Sequence, residues 1–207
     1  MARATSQSAS DAPRDAVALL KQDHRTVETL FSEFENAEES EQSSIAEKVC
    51  QLLTVHAQIE EEILYPAARE ALADDEEEAD LVLEAQVEHN TAKELIAKIE
   101  TMTPDDEEFR ATVKVLGEYV KHHVKEEENE LFPAMRKAKV DLKELGAQLG
   151  ERKFGLMEEL GIAPTETPAQ PRKRAAAGRA KSSTRSRQAR AGARKSTRGS
   201  TGRAARH

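Results

Sequence analysis

The sequence predicts an all-α protein: an up-down four-helix bundle with a short fifth helical segment and a disordered basic C-terminal tail. In four separate stretches, apolar residues recur at alternating spacings of three and four, which is the period of one face of an α-helix. Aromatic residues make up only 3% of the 207 residues. The core is therefore aliphatic, and such a core suits helix packing better than a β-sandwich. Short polar stretches separate the four seams, which favours antiparallel neighbours.

The first helix is predicted to start near Pro13, a residue suited to a first helical turn, with Ser10 or Asp11 as its cap. Pro66 should kink or end the second helix nearby. The acidic run 74–78 fits either a solvated turn or the negative first turn of the third helix. The fourth helix starts after the signal Thr103-Pro-Asp-Asp. The four inward seams are Val17, Leu20, His24, Val27, Phe31 and Phe34; Val49, Leu52, His56, Glu60 and Ile63; Val82, Ala85, His89, Ala92, Ile96 and Ile99; and Phe109, Val113, Leu116, Val120, His123, Glu127 and Leu131.

Four regions follow from these patterns: a flexible N-terminus over 1–11, the bundle over 12–138, an amphipathic helical segment over 139–163, and the tail over 164–207. Three glycines, Gly146, Gly150 and Gly155, weaken the helix prediction for the third region. The tail is rich in Arg, Ala, Ser and Gly and has almost no apolar residue larger than alanine. Such a composition cannot build a core and should stay disordered.

The charge is unevenly distributed. The chain carries a formal net charge of −8, yet residues 165–207 contain thirteen lysines and arginines against one glutamate. A basic arm on an acidic body predicts non-specific binding of nucleic acid through residues 172–206, driven by the release of counterions from phosphates. The alternatives are a solubilising tail or a tail that folds back on the acidic body.

Two copies of a His-x3-Glu motif, His56/Glu60 and His123/Glu127, lie on inward seams and are 67 residues apart. A lone histidine precedes each, and these two are 65 residues apart. Burying two carboxylates unpaired would cost several kcal/mol each, and no lysine or arginine shares their stripes. Metal cations are therefore expected, and imidazole with carboxylate suits iron, manganese or zinc. Two carboxylates that can bridge indicate two metals. The predicted ligands are His24, His56, Glu60, His89, His123 and Glu127.

The doubled motif, followed by Leu-Tyr-Pro66 and Leu-Phe-Pro133, resembles the hemerythrin family and most closely its HHE cation-binding branch, over about residues 13–137. The resemblance implies a four-helix bundle that holds two iron ions in a non-haem centre with oxo and carboxylate bridges. It places His24 and His56 on one iron and His89 and His123 on the other, with Glu60 and Glu127 as bridges. It also makes Glu61 a candidate for a further ligand.

Two departures bear on function. Oxygen-carrying hemerythrins have His-x3-His on the third helix, whereas here Lys93 follows His89, and their fourth helix has His-x4-Asp, whereas here it is His123-x3-Glu127. One imidazole fewer predicts iron that is more open to water, peroxide or nitric oxide than in a reversible oxygen carrier. The Glu-x-x-His motif of ferritin-like proteins is absent. The residues three before the histidines are Lys21, Leu53, Gln86 and Val120.

The predicted function is therefore to bind or sense oxygen, peroxide or nitric oxide, or to buffer iron, in the oxidative stress response. The alternatives are a catalase- or peroxidase-like diiron enzyme and a nucleoid-associated DNA-binding protein. Cys50, the single cysteine, excludes an intramolecular disulfide and a thiolate cluster and favours the reducing cytoplasm. No secretory signal or membrane partner is expected. Tyr65, Tyr119 and Phe132 are predicted to be packing groups, and His122 a flanking residue.

Overall fold

The computed structural model describes residues 15–162, and all regular structure within that range is helical. The predicted flexible N-terminus and the basic tail lie outside the described residues. Within 15–162, no helix is long and apolar enough to cross a membrane. The helices are α1 (Ala16–Asn36), α2 (Glu39–Ile59), α3 (Tyr65–Leu72), α4 (Glu76–Glu100), α5 (Phe109–Glu126), α6 (Phe132–Lys137) and α7 (Leu142–Glu159). Two π-helical turns, π1 (Glu60–Leu64) and π2 (Glu127–Leu131), join α2 to α3 and α5 to α6.

The four rods of the bundle are α1, the continuous run from α2 through π1 to α3, α4, and the run from α5 through π2 to α6. The first rod packs on the second, and α4 packs on both α5 and α2. The fifth helix, α7, covers the outside of α1, α2 and π1. The predicted four-helix bundle with a fifth helical segment is thus confirmed. The proposed domain boundaries at 11, 138 and 163 stay predictions.

The first residues of the helices agree with some of the predicted starts and differ from others. The carboxylate of Asp15 caps α1 by accepting from the Ala18 amide at 2.8 Å; the predicted caps lie outside the described residues. Asp75 caps α4 in the same way, so the acidic run does form a first helical turn. The predicted start at Thr103 is wrong, because α5 begins at Phe109. Asp106 accepts from both the amide and the hydroxyl of Thr103, and these bonds hold the segment as a turn before the helix.

The two prolines do not end their rods. The Tyr65 amide donates to the Glu60 carbonyl, one residue further back than in an α-helix, and Phe132 does the same to Glu127. A proline in a helix interior lacks an N–H and clashes with the carbonyl four residues earlier. A π-turn widens the chain at that point. Each proline then lies in the first turn of a new α-helical segment, where it is tolerated.

The apolar core forms two clusters, one above and one below a layer of buried polar side chains. On α1, for example, Leu20 belongs to one cluster and Val27 to the other, with buried His24 between them. On each of the other three rods a buried histidine likewise lies between residues of the two clusters. The inward histidines of the sequence pattern therefore occupy a single level of the bundle.

The glycines of α7 have unequal roles. A Cβ at Gly146 would lie 2.6 Å from the Ala16 amide nitrogen and 2.7 Å from the Asp15 carbonyl carbon. Backbone cannot give way as a flexible side chain can, so glycine lets α7 approach the start of α1. A Cβ at Gly155 would meet nothing within 4 Å. The first glycine is needed for packing and the second is not.

Gly146→Ala should therefore destabilise the protein by about 1–3 kcal/mol, because α7 must move away from α1. Gly155→Ala is the matched control and should stabilise the protein by about 0.5–1 kcal/mol, since alanine favours the helix. Urea unfolding of both variants measures the difference. Equal stabilisation by the two substitutions would show that α7 does not pack closely at Gly146.

Candidate metal centre

The structure brings all six predicted ligands together in the layer between the two apolar clusters, and all six are buried. The four imidazoles meet in two pairs through their Nε2 atoms. His24 Nε2 lies 3.2 Å from His56 Nε2, and His89 Nε2 lies 3.2 Å from His123 Nε2. Each pair joins histidines of two consecutive rods. This is expected if the two His-x3-Glu motifs, each with its preceding histidine, are copies of one duplicated helix pair.

The two inward carboxylates connect these pairs. Glu60 Oε2 lies 3.1 Å from His56 Nε2 and 3.3 Å from His89 Nε2. Glu127 Oε2 lies 3.4 Å from His24 Nε2 and 3.6 Å from His123 Nε2. Each carboxylate therefore faces one imidazole of either pair, which is the arrangement a bridging ligand needs.

Several of these oxygens lack hydrogen bonds. Both carboxylate oxygens of Glu60 and Oε2 of Glu127 are buried without a hydrogen-bond partner in the described part of the chain. Buried charged oxygens in that state are costly unless a cation binds them. The donor atoms fall into two groups, each within 4.8 Å: His24, His56, Glu60 and Glu127, and Glu60, His89 and His123. Nitrogen and oxygen donors in these numbers fit iron, manganese or zinc.

The electrostatics of the site also favour positive charge. Burial alone would lower the pKa of His56, but the carboxylates of Glu60 and Asp23 outweigh it and raise that pKa to about 10. Burial alone would raise the pKa of Glu60, but the charge of His56 holds it well below its ordinary value. Without metal, protons on His56 and His123, whose pKa values are raised by neighbouring carboxylates, help to balance the buried carboxylates. A metal cation would replace that charge.

A second set of carboxylates faces the outer nitrogen of each histidine. His24 Nδ1 donates to Glu128 at 3.0 Å, and His89 Nδ1 donates to Glu61 at 3.0 Å. Such contacts fix the ring so that Nε2 points to the centre, and they raise its basicity as a ligand. Glu61, a candidate ligand in the resemblance, thus lies on the outer side of a predicted ligand.

The outer nitrogens of the other two histidines also face carboxylates, but only one of them forms a hydrogen bond. His123 Nδ1 donates to Glu88 at 2.8 Å, whereas His56 Nδ1 lies 3.6 Å from Asp23 Oδ2, too far for a hydrogen bond. The internal duplication could have revealed all four partners. Asp23 and Glu88 directly precede the lone histidines, and Glu61 and Glu128 directly follow the motif glutamates.

Lysines form a third layer around three of these carboxylates. Lys21 pairs with Glu128 at 2.8 Å, and Lys93 pairs with Glu61 at 2.7 Å. Lys153 of α7 pairs with Asp23, so the fifth helix also supports the centre. Lys93, the departure from the oxygen-carrier pattern, binds an outer carboxylate in place of offering a metal ligand.

Tyr65 takes part in the site, and the prediction that it is only a packing group is wrong. Its hydroxyl donates to Glu127 Oε1 at 3.1 Å and lies 3.0 Å from His89 Nε2. Burial and the nearby carboxylates raise the pKa of Tyr65, so the phenol keeps its proton. The duplicated position is Phe132, whose ring stacks on His24 at 6.1 Å. The two halves therefore differ by one hydroxyl, and Glu60 Oε1 has no corresponding donor.

A small cavity of about 30 Å³ adjoins the histidines on the side opposite the π-turns. Besides the site residues, its lining is mainly aliphatic, with Val27, Ala92, Ile96 and Val120 among the residues. A water molecule needs roughly 10–15 Å³ of such space. The cavity therefore has room for a ligand of two or three heavy atoms.

The model of the hemerythrin HHE cation binding domain matches residues 15–135. The chain belongs to this family. A solved HHE cation binding domain-containing protein of Mycobacterium kansasii superposes with a TM-score of 0.60 at 20% identity, over 70% of this chain and 88% of that one. That likeness supports the fold of this HHE protein.

A curated relative from Nostoc sp., named a DNA nickase, is 32% identical over 121 residues. The match takes in 57% of this HHE chain but only 32% of the relative. The chain thus spans about a third of the length of that relative.

Tyr65→Phe tests the hydroxyl in this HHE domain. The substitution leaves Glu127 Oε1 without its donor and should destabilise the metal-free protein by about 1–3 kcal/mol. Tyr119→Phe is the control, since no hydrogen bond of its hydroxyl is present in the described structure; its effect should stay within about 0.5 kcal/mol. Urea unfolding measures both. Equal effects of the two substitutions would show that the Tyr65 hydroxyl does not stabilise the site.

Proposed function

We propose that this hemerythrin-like protein holds two iron ions in the buried centre and there binds a small ligand such as oxygen, peroxide or nitric oxide. The ligands would be the six predicted residues: His24, His56, Glu60, His89, His123 and Glu127. The observation that carries the proposal is that two imidazole pairs share two carboxylates whose buried oxygens include three without a hydrogen-bond partner in the described structure. A role in oxidative stress or iron buffering in the cytoplasm fits such a centre.

The residues around the centre would have distinct roles. The outer carboxylates orient the imidazoles, and the aliphatic clusters exclude bulk water from both sides. Tyr65 keeps a proton within reach of Glu127 and His89. Iron bound in the centre would supply the redox chemistry and the open coordination position that oxygen, peroxide or nitric oxide requires.

The cavity limits what the centre can accept. At about 30 Å³ with a mainly aliphatic lining, it admits a diatomic molecule or peroxide and excludes bulky or highly charged substrates. Peroxide turnover, the enzyme alternative, uses the same space. The two functions differ in whether the ligand binds stoichiometrically or is consumed.

Ala92→Leu would fill the cavity from α4 and should weaken nitric oxide binding to the ferrous protein by about tenfold or more, equivalent to about 1.4 kcal/mol. An optical titration under anaerobic conditions measures this affinity. Ala97→Leu, at an exposed position of the same helix, is the matched control and should bind like the original protein.

Iron content is measured on both variants, and it should be unchanged. Unaltered nitric oxide affinity in Ala92→Leu with full iron content would contradict the assignment of the cavity. Oxygen evolution on addition of peroxide would identify a catalase-like enzyme, whereas stoichiometric bleaching would support ligand binding or sensing.

A second candidate function is non-specific nucleic-acid binding through residues 172–206. Two observations favour it: the thirteen positive charges of residues 165–207, and the relative named a DNA nickase. Neutralised phosphates release counterions, so the affinity should depend on salt and not on base sequence. The bundle would then hold its iron centre close to nucleic acid.

A gel-shift comparison of the full chain with a 1–164 truncation tests this second function. The full chain should bind duplex DNA at about 50 mM salt and lose most of its affinity by about 200 mM. The truncated chain should bind at least about tenfold more weakly at low salt, because the acidic bundle repels phosphate. Equal binding by the two chains would exclude the tail as a nucleic-acid contact.

A further inference from the structure

A further His-x3-Glu pair overlaps the inward motif of α5. His122 and Glu126 precede the inward pair His123/Glu127 by one residue each, so they point about 100° away, toward the surface. His122 Nε2 lies 3.1 Å from Glu126 Oε1 and 3.7 Å from Glu88 Oε1 of the adjacent α4. One nitrogen and two carboxylate oxygens thus lie within 4.8 Å of one another. We call Glu88, His122 and Glu126 the outer cluster.

This cluster breaks the internal duplication. The positions 67 residues before His122 and Glu126 are Val55 and Ile59, and both are buried in the apolar cluster that also contains Leu145 and Leu149 of α7. Helix α7 covers that face of α2. On α5, by contrast, the His122 side chain is 59% exposed, so a hydrated ion could reach it.

Glu88 connects the outer cluster to the buried centre. Its Oε2 accepts from His123 Nδ1 at 2.8 Å, while its Oε1 faces His122. A cation bound at Oε1 would therefore lie one carboxylate away from an inner imidazole. Within the described residues, neither Glu88 nor Glu126 pairs with a lysine or arginine, unlike the other outer carboxylates.

A small cavity of about 10 Å³ lies beside Glu88 and Glu126 of the outer cluster. Glu84, Glu88 and Glu126 line it together with His123 and Glu127 of the centre. Glu127 is 2% exposed, and its Oε2 has no hydrogen-bond partner in the described structure. The cavity thus lies between surface carboxylates and a buried carboxylate, one oxygen of which accepts no hydrogen bond. No lysine or arginine lines it.

We propose that the outer cluster is a divalent-cation site from which ions enter the buried centre. One imidazole and two carboxylates, with water in the remaining positions, suit Fe²⁺, Mn²⁺, Co²⁺ or Zn²⁺. The carboxylates concentrate cations at the surface beside this cavity, and Glu88 passes them to the level of His123. The entry role rests on the proposed function of the buried centre, whereas cation binding by the outer cluster does not.

Co²⁺ is the probe, added to the metal-free full chain under anaerobic conditions. Equilibrium dialysis counts the bound ions, and the visible absorption of Co²⁺ bound to imidazole follows the filling of the centre. The double variant His122→Ala/Glu126→Gln removes two surface ligands that are not part of the centre. Glu130→Gln is the control, because it removes the same charge from an exposed position nearby.

The original protein should bind one weakly held Co²⁺ beyond those of the centre. The double variant should lose that ion and fill the centre about tenfold more slowly, because the local cation concentration falls. Its final absorption should match the original, and Glu130→Gln should behave like the original throughout. Retention of the weak ion by the double variant, or an unchanged filling rate, would overturn the proposal. A centre that never fills in the original protein would instead contradict the proposed function.

Discussion

The structure depends on the burial of two carboxylates, Glu60 and Glu127, with which no lysine or arginine within residues 15–162 forms an ion pair. Such charges are stable only beside positive charge. The rest of the centre supplies it in layers. Imidazoles surround the carboxylates, outer carboxylates hold the imidazoles, and lysines hold three of those carboxylates. Each layer has the sign that the layer inside it requires, and the proposed pair of cations at the middle would complete the series.

The π-turn π1 positions the Tyr65 hydroxyl, which donates a hydrogen bond to Glu127. On a regular α-helix Tyr65 would lie about 140° around the axis from Glu60. The π-turn that begins at Glu60 adds a residue to the turn and brings Tyr65 back to the inward face, where its hydroxyl reaches Glu127. The duplicated turn at Glu127 places Phe132 instead. One hydroxyl thus makes the two halves of a near-symmetric centre chemically different: Glu127 Oε1 has a donor, and Glu60 Oε1 has none in the described structure.

Sequence periodicity predicted the bundle and the inward positions, because both follow from the spacing of apolar residues on a helix. Periodicity did not predict the π-turns, and Tyr65 was therefore predicted to be a packing group. It also placed the fourth helix too early, since Asp106 binds Thr103 in a turn of its own. Periodicity assigned no role to Asp23, Glu88 or Glu128, and the family resemblance made Glu61 a candidate metal ligand. Only a comparison of the two halves, in which Asp23 faces His56 and Glu88 faces His123, shows their role. Gly146 counted against a helix until its contact with α1 was known.

The face of α5 that bears His122 and Glu126 is polar, whereas the equivalent face of α2 packs under α7. The charge layers are proposed to surround two iron ions. Diffraction at the iron absorption edge, with metal analysis of the same crystals, tests this. Two anomalous iron peaks per chain are expected, one beside the His24/His56 pair and one beside the His89/His123 pair. A single peak, a zinc edge in place of iron, or no peak between the imidazoles would contradict it.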